Sequence, residues 1–406
     1  MLVLLLLAAA GVGPAGAMTT VKSAHNRTWG TAPASDRAGR VLAMLEVGPT
    51  VYLAGEFTGL VSPSGGPPLT RPYLAALDVA GGQPASFDAR MDGPVRALAL
   101  SGDGRRLYIG GDFEQAGGAP AHHLAAIDLS TGALDPTFVP PRLNSGVRAL
   151  LLAGDRLYVG GNFTEVSSGG QAVPRPQLAA LNAVTGTLVT TWSPPPNGGG
   201  EFFGPLGEQT STGDGLVSDL ALSPDGRQLH VAGTFANFGG RKGVLSLNTR
   251  TGRAARWQAE MDRPVFDLAY WPGDHNTLFA ATGGKGGMLK AFSPGGPTLP
   301  QWQIRTDGDS VGVLASATTV YLLGHFDNIV SPQSTCYRGC PGGPQRHRLA
   351  AFDPATGALD TWAPVADTPT GPYTGAIGAN HLWVGGEFTT INQVPQPGVA
   401  QFPGVP

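Results

Sequence analysis

A polar residue stands between Gly and Phe in six repeated segments of the chain, and these polar side chains are its clearest candidates for chemistry. The residues are Glu56, Asp112, Asn162, Thr234, His325 and Glu387. Carboxylates at such positions could act on sugars or bind a cation. Retaining glycosidases need carboxyls about 5–5.5 Å apart, and Ca²⁺ needs oxygens at about 2.3–2.6 Å, whereas neighbouring packed sheets lie about 10 Å apart. We therefore expect each side chain to accept hydrogen bonds from its own loop, and we assign ligand-face candidates but no catalytic residue.

The two cysteines, Cys336 and Cys340, lie in one loop bounded by Gly and Pro. In an exported protein a close pair is more often a disulfide than a metal site. Zinc would need two further ligands, and only His347 is near in the sequence. The spacing favours a disulfide, with two free thiols or a metal site as the alternatives.

The composition predicts a folded chain with many turns. Gly and Pro account for 61 and 36 of the 406 residues, yet 41% of the residues are hydrophobic and only 14% are charged. Short apolar segments between frequent turns are typical of an all-β protein. The net charge is −3 and no basic run occurs, which argues against a nucleic-acid partner. No sequence motif calls for a cofactor or a metal.

The first residues have the features of a targeting signal. Residues 2–10 form an apolar run too short to span a bilayer, and Ala15-Gly16-Ala17 has the form of a signal-peptidase site. We predict a signal peptide at 1–17, with a buried N-terminal strand as the alternative. No later stretch is apolar enough for a membrane helix, so we expect a secreted, monomeric chain without membrane insertion. Residues 18–406 are predicted to form one domain.

A repeated unit dominates the rest of the chain. Residues 95–113 carry Val-Arg-Ala-Leu, a turn, and a second apolar run ending in Gly-Asp-Phe, and residues 147–163 repeat this pattern. A third segment follows, Leu-Ala-Ala-Ile-Asp at 124–128, and then an aromatic residue. These aromatic residues are Phe87, Phe138, Trp192, Trp257, Trp302 and Trp362. Each unit therefore predicts four short strands, as in the blades of a β-propeller.

Counting the units predicts seven blades. Six carry the Gly-polar-Phe motif, and a degenerate seventh surrounds Gly284. The last unit stops near Phe402 without its aromatic strand, while Thr28-Trp29 resembles Thr361-Trp362. We predict an all-β, seven-bladed β-propeller of four-stranded antiparallel blades, closed by an N-terminal strand that completes the last blade, with Trp29 buried on its outer edge.

The units resemble the delta-60-type β-propeller repeats of secreted bacterial proteins. The resemblance extends from about Trp29 to Phe402, and its most specific parts are Gly-Gly-Asp-Phe and Leu-Ala-Ala-Ile-Asp. It implies an extracellular propeller, without a common activity or a catalytic residue set. The unit at 265–302 lacks the Gly-polar-Phe motif, and an insertion at 193–215 lengthens one connection.

Loop lengths indicate which face could bind a ligand. The long connections are residues 58–72, 164–176, 193–215 and 327–347, and all are expected at one edge of the sheets. We call this edge the long-loop face, and variable loops on a rigid scaffold are where binding usually occurs. The sequence therefore favours an extracellular binding scaffold whose partner is an unknown protein or glycan. The alternative is a hydrolase or lyase that acts on glycans or cell-wall material.

Overall fold

The computed structural model describes residues 21–33, 39–197, 215–235, 237–284, 286–336, 339–340, 342–368 and 370–404. These residues form antiparallel sheets of two to five strands and no helix. The prediction of an all-β chain is confirmed. The predicted signal peptide at 1–17 and most of the insertion at 193–215 lie outside the described residues.

The strands are short and follow one another throughout the described residues. In chain order they are β1 Gly30–Ala32, β2 Arg40–Val47, β3 Thr50–Glu56, β4 Gly59–Val61, β5 Leu69–Thr70, β6 Leu74–Asp78, β7 Val95–Leu100, β8 Arg106–Gly111, β9 Gln115–Ala116, β10 Ala119–Pro120, β11 Leu124–Asp128, β12 Arg142–Leu143, β13 Val147–Ala153, β14 Arg156–Gly161, β15 Glu165–Ser168, β16 Gln171–Pro174, β17 Leu178–Asn182, β18 Val217–Leu222, β19 Gln228–Gly233, β20 Val244–Asn248, β21 Val265–Tyr270, β22 Leu278–Thr282, β23 Met288–Phe292, β24 Trp302–Thr306, β25 Ser310–Ala315, β26 Val320–Gly324, β27 Ile329–Val330, β28 Leu349–Phe352, β29 Pro372–Ile377, β30 His381–Gly386, β31 Thr390–Ile391, β32 Val394–Pro395 and β33 Val399–Pro403.

Seven sheets share one topology. Sheets 1 to 7 are β2-β3-β6, β7-β8-β11, β13-β14-β17, β18-β19-β20, β21-β22-β23-β24-β27, β25-β26-β28 and β29-β30-β33. Each begins with an antiparallel hairpin whose second strand also pairs with the third strand. The first strands of consecutive sheets contact one another in chain order, and β29 of sheet 7 contacts β2 of sheet 1. We call these seven first strands the inner strands.

The fourth strand that we predicted for every unit is a regular strand only in sheet 5, where β24 pairs with β23. In sheets 1, 2, 3, 4 and 6 the corresponding segment makes a single bridge, such as Ile127 with Leu134. In three of these sheets a proline follows the aromatic residue by two positions, namely Pro140, Pro194 and Pro364. Proline has no N–H for a ladder and fixes its own φ.

The Gly-polar-Phe motif fits a bulge in each inner strand. In sheet 2 the register of β7 shifts between Val95 and Ala97, which pair with Gly111 and Gly110, so that Arg96 lies on the bulge. A Cβ on Gly111, opposite this bulge, would lie 2.1 Å from the Pro94 carbonyl oxygen, so no larger residue fits there. The phenylalanine of the motif is buried in every sheet that carries it, as Phe113 is in sheet 2.

The N-terminal segment pairs with sheet 7. Asn26 bridges Gln401 of β33, and Lys22 N–H donates to the Pro403 carbonyl oxygen over 2.9 Å. Trp29 departs from the prediction because it is half-buried rather than buried. Its backbone N–H and indole N–H reach Gly82 and Gln83 beyond sheet 1, so this side chain lies between the first and last sheets.

Cys336 and Cys340 form a disulfide, as predicted. Cys340 is buried, and its backbone N–H donates to the carboxylate of Asp307. That carboxylate also accepts from the N–H groups of Asp327 and Asn328. The buried Asp307 carboxylate therefore attaches Cys340 to the end of sheet 5.

Candidate functional site

Three arginines and three carboxylates alternate at the long-loop face. Arg96 of β7 lies 2.7 Å from Glu56 and 2.5 Å from Asp112, measured from nitrogen to oxygen. Arg40 of β2 lies 2.7 Å from the other oxygen of Glu56 and 3.4 Å from Glu387. Asp112 also lies 3.5 Å from Arg148 of β13. We call these six residues the arginine–carboxylate network.

The network spans four sheets because each inner strand begins beside the end of the second strand. Arg40 is the first residue of β2 and pairs in register with Glu56, the last residue of β3. Arg96 lies on the bulge of β7, from which its guanidinium reaches carboxylates of two sheets. The network thus joins sheets 7, 1, 2 and 3. Its side chains are mostly buried, at 10% exposure for Arg96 and 29% for Asp112, so these ion pairs resist screening better than surface pairs do.

Tyr373 of β29 completes one end of the network. Its hydroxyl donates to Glu387 over 3.2 Å, and the Arg40 guanidinium lies 5.6 Å from the centre of its ring. Burial raises the pKa of Tyr373 to about 12, with its contacts to neighbouring side chains contributing less. The hydroxyl therefore remains a hydrogen-bond donor at any physiological pH.

The six predicted residues do not share one role. Glu56, Asp112 and Glu387 bind arginines rather than their own loops, so the expectation of local capping is wrong for them. It holds for Thr234, whose hydroxyl accepts from the Leu216 N–H. His325 pairs with Asp309 at 3.0 Å. The Asn162 side-chain oxygen is buried without a hydrogen bond among the described residues.

Loop capping is performed by a second set of residues, which lie just before the inner strands. Asp92 accepts from the N–H groups of Glu114 and Gln115, and Asp367 accepts from those of Thr389 and Thr390. Asn144 and Asp307 make the corresponding bonds in their own units. The loop capping that we expected is present, but the capping side chains lie in the connection that precedes each inner strand.

Two cavities lie among the inner strands. The first, of about 260 Å³, is on the side where these strands begin. Its lining includes the bulge residue of every inner strand, namely Leu42, Arg96, Arg148, Ser218, Phe266, Val311 and Tyr373. The second, of about 430 Å³, lies toward the other end of the strands. Asp219, Asp267 and Thr374 line both cavities.

The sequence analysis missed the arginines, Tyr373 and the aspartates on the inner strands. The signal for Arg96 and Arg148 was their common place in the Val-Arg-Ala-Leu repeat. The signal for Asp219 and Asp267 was a carboxylate inside an apolar strand, which is rare unless the group has a partner. None of these positions belongs to the Gly-polar-Phe motif, which supplied all the ligand-face candidates.

The described residues contain no group of three or more His, Cys, Asp or Glu side chains that could hold a metal ion. In the same part of the chain, no helix is long and apolar enough to cross a membrane.

Comparisons with known proteins give little direct guidance. No family model matches the chain. Over 144 residues, or 35% of its length, the chain is 32% identical to polarized growth protein L1 of a Phoma species, and it spans only 10% of that protein. Among solved structures it is similar to the computationally designed Ika8 protein. The sequence identity is 12% and the TM-score 0.49, over 94% of this chain and 100% of that one, a likeness too distant to support a conclusion.

Proposed function

We propose that the chain is a secreted, monomeric, seven-bladed β-propeller that acts as an extracellular binding scaffold. The contact of the seven inner strands in chain order, with β29 against β2, supports the propeller. Its relation to the delta-60-type repeat proteins rests on the repeat motifs. The intramolecular disulfide agrees with an oxidising compartment.

One observation supports the binding function. A cavity lined by arginine and aromatic side chains lies beside a fixed network of ion pairs. Arg96, Phe266 and Tyr373 line the first cavity, and the network holds Arg96 between two carboxylates. Guanidinium donors and aromatic faces held in one geometry suit a polar ligand, because little side-chain entropy is lost on binding. A volume of about 260 Å³ accommodates only a small group, so we place there one end of a glycan or one side chain of a protein partner.

The enzyme alternative has less support. Glycosidases use carboxyls about 5–5.5 Å or 6.5–9.5 Å apart, with room for substrate or water between them. Glu56, Asp112 and Glu387 are instead bound by arginines, and Asp219 and Asp267 lie side by side at the Leu268 N–H. Neither arrangement leaves two free carboxyls facing a substrate.

A glycan array with the mature protein, followed by variants, tests the proposal. Arg96→Gln should weaken binding of any captured glycan by at least about tenfold, the order expected when one charged hydrogen bond is lost. Arg106→Gln is the matched control, since Arg106 also lies on sheet 2 and pairs with an aspartate at 2.5 Å, but outside the cavities. Equal effects of the two substitutions would show that the glycan does not bind in the cavity. An array without any binding would exclude the glycan class tested and leave a protein partner.

A further inference from the structure

Two aspartates occupy the same position on neighbouring inner strands. Asp219 of β18 and Asp267 of β21 each follow the bulge residue of their strand. At this position the inner strands of sheets 1, 2 and 3 carry Ala43, Ala97 and Ala149. Sheets 4 and 5 therefore place carboxyl groups where sheets 1 to 3 have only a methyl group.

These carboxyls join three inner strands by hydrogen bonds. Leu268 N–H of β21 donates to Asp219 Oδ2 over 2.9 Å, and its nitrogen lies 3.0 Å from Asp267 Oδ1. The shared nitrogen places the two carboxyls side by side. Asp267 Oδ2 in turn accepts from the Val313 N–H of β25 over 2.7 Å. The pair thus connects the inner strands of sheets 4, 5 and 6.

Burial, together with the proximity of the two carboxyls, determines their protonation. Burial raises the pKa of Asp267 to about 6, and burial together with the charge of Asp267 raises the pKa of Asp219 well above its usual range. Two carboxylates in contact repel each other, so one of them keeps its proton. A proton held in this way makes a hydrogen bond between the oxygens.

Among the described residues, few other charged groups surround the pair. The charged or titratable groups on the same cavities are Arg96, Arg148, Tyr373 and Glu46. On the strands packed against β18 and β21, the hydroxyl of Tyr158 and the guanidinium of Arg156 bind the Thr249 carbonyl oxygen. His230 lies between Ser246 and Tyr270. Strands β22 and β25 carry no titratable residue.

We propose that the Asp219–Asp267 pair is a proton-dependent lock between sheets 4, 5 and 6, closed while one proton is shared and loosened when both carboxyls ionise. The lock does not depend on the ligand. It makes the fold tightest in acidic surroundings and weaker in alkaline ones, because ionisation places two like charges between strands that the carboxyls otherwise hold together.

The direction of the pH effect follows from linkage. A carboxyl whose pKa is raised in the folded state stabilises the fold fully below its unfolded value, and this contribution is lost as the pH rises through the folded pKa. The loss begins between about pH 4 and about pH 6 for Asp267 and continues at higher pH for Asp219. His230 has its pKa lowered to about 4, so it acts with the opposite sign below about pH 6.5. Measurements above that pH isolate the pair.

The test is urea unfolding of the mature protein between about pH 6.5 and about pH 9. The unfolding equilibrium constant of the wild type should rise by up to about tenfold per pH unit wherever the folded state holds one proton more than the unfolded state. Asp219→Asn supplies a permanent N–H donor to Asp267 and should abolish this rise. Asp225→Asn, in the exposed turn after β18, is the matched control and should retain it.

A wild type without this rise, or an Asp219→Asn variant that retains it, would overturn the proposal. Asp267→Asn provides a second variant if the first does not fold. Infrared difference spectra of the wild type across the same range provide a measurement without any variant. A protonated-carboxyl band that disappears as the pH rises, and is absent from the variant, supports the lock. No such band at about pH 6.5 refutes it.

Discussion

Sheets 1 to 3 and sheets 4 and 5 have the same order in their first three strands, but their inner strands carry charged side chains at different positions. In sheets 1 to 3 the charged side chains lie where the inner strands begin, each arginine beside a carboxylate, and alanine follows the bulge. In sheets 4 and 5 the bulge residues are Ser218 and Phe266, and the carboxyls lie one position further along. Charge near an opening is neutralised by a partner of opposite sign, whereas a carboxyl deep among the inner strands keeps a proton.

The largest expected effect comes from placing a carboxyl, as found on the inner strands of sheets 4 and 5, on the inner strand of sheet 3. Ala149→Asp would place a carboxyl on β13 at the position that Asp219 occupies on β18, in a site that is 4% exposed and apolar. We expect a loss of about 3–5 kcal/mol in the free energy of unfolding at pH 7, as for an unpaired buried charge. The loss should shrink at acidic pH as the carboxyl takes up a proton. Ala149→Val controls for added volume, and equal losses for both variants at every pH would contradict the comparison.

The second effect concerns His230, which occupies the place of Tyr52, Tyr108, Tyr158 and Tyr321 in other sheets. It is fully buried, and burial lowers its pKa to about 4. A histidine with a lowered pKa destabilises the fold as the pH falls, so the wild type should lose up to about 3 kcal/mol between about pH 6.5 and about pH 4 from this group. His230→Phe should remove that part of the loss in acid unfolding curves. The control His122→Gln, at a half-exposed histidine, should not, and a curve unchanged by His230→Phe would exclude the effect.

The third effect tests the network itself. Arg96→Leu leaves Glu56 and Asp112 each with one arginine fewer, and we expect a loss of about 2 kcal/mol in unfolding free energy, reduced from the buried-pair value because both carboxylates retain some solvent. Arg227→Leu, at an exposed pair separated by 4.0 Å, should change stability by less than about 0.5 kcal/mol. Chemical denaturation of both variants measures these changes. Equal losses of unfolding free energy would show that the network stabilises the fold no more than an exposed ion pair does.

The smallest global effect is expected from the disulfide. Its loop is short, so the chain-entropy model allows at most about 2 kcal/mol, and Asp307 holds Cys340 through its backbone in either redox state. Replacing both cysteines by serine should slightly lower the melting temperature while increasing amide exchange at residues 327–347. Mass spectrometry of the secreted protein should find no free thiol. A large drop in melting temperature would mean that the loop supports sheets 5 and 6 directly.

The sequence predicted what depends on local pattern. The Gly-polar-Phe motif located the second strand of six sheets, and the Cys336–Cys340 spacing identified the disulfide. The pattern could not reveal Arg96 bound to carboxylates of two sheets, since that contact depends on how far a guanidinium reaches between neighbouring sheets. The prediction of a regular fourth strand was wrong in five sheets, of which three have a proline two positions after the aromatic residue. The repeat pattern alone could not show how far each fourth segment pairs. Whether Glu56, Asp112 and Glu387 contact a ligand stays a prediction.

The bridge between Asn26 and Gln401 has a consequence for how the protein is made. Residues near the start of the chain leave the ribosome first, yet their partner on β33 is synthesised some 375 positions later. At about 5–20 residues per second, the N-terminal segment waits tens of seconds with its hydrogen-bonding groups unpaired. Sheets 1 to 6 can assemble from neighbours in sequence during that time, whereas sheet 7 joins the N-terminal segment only after translation has passed Gln401.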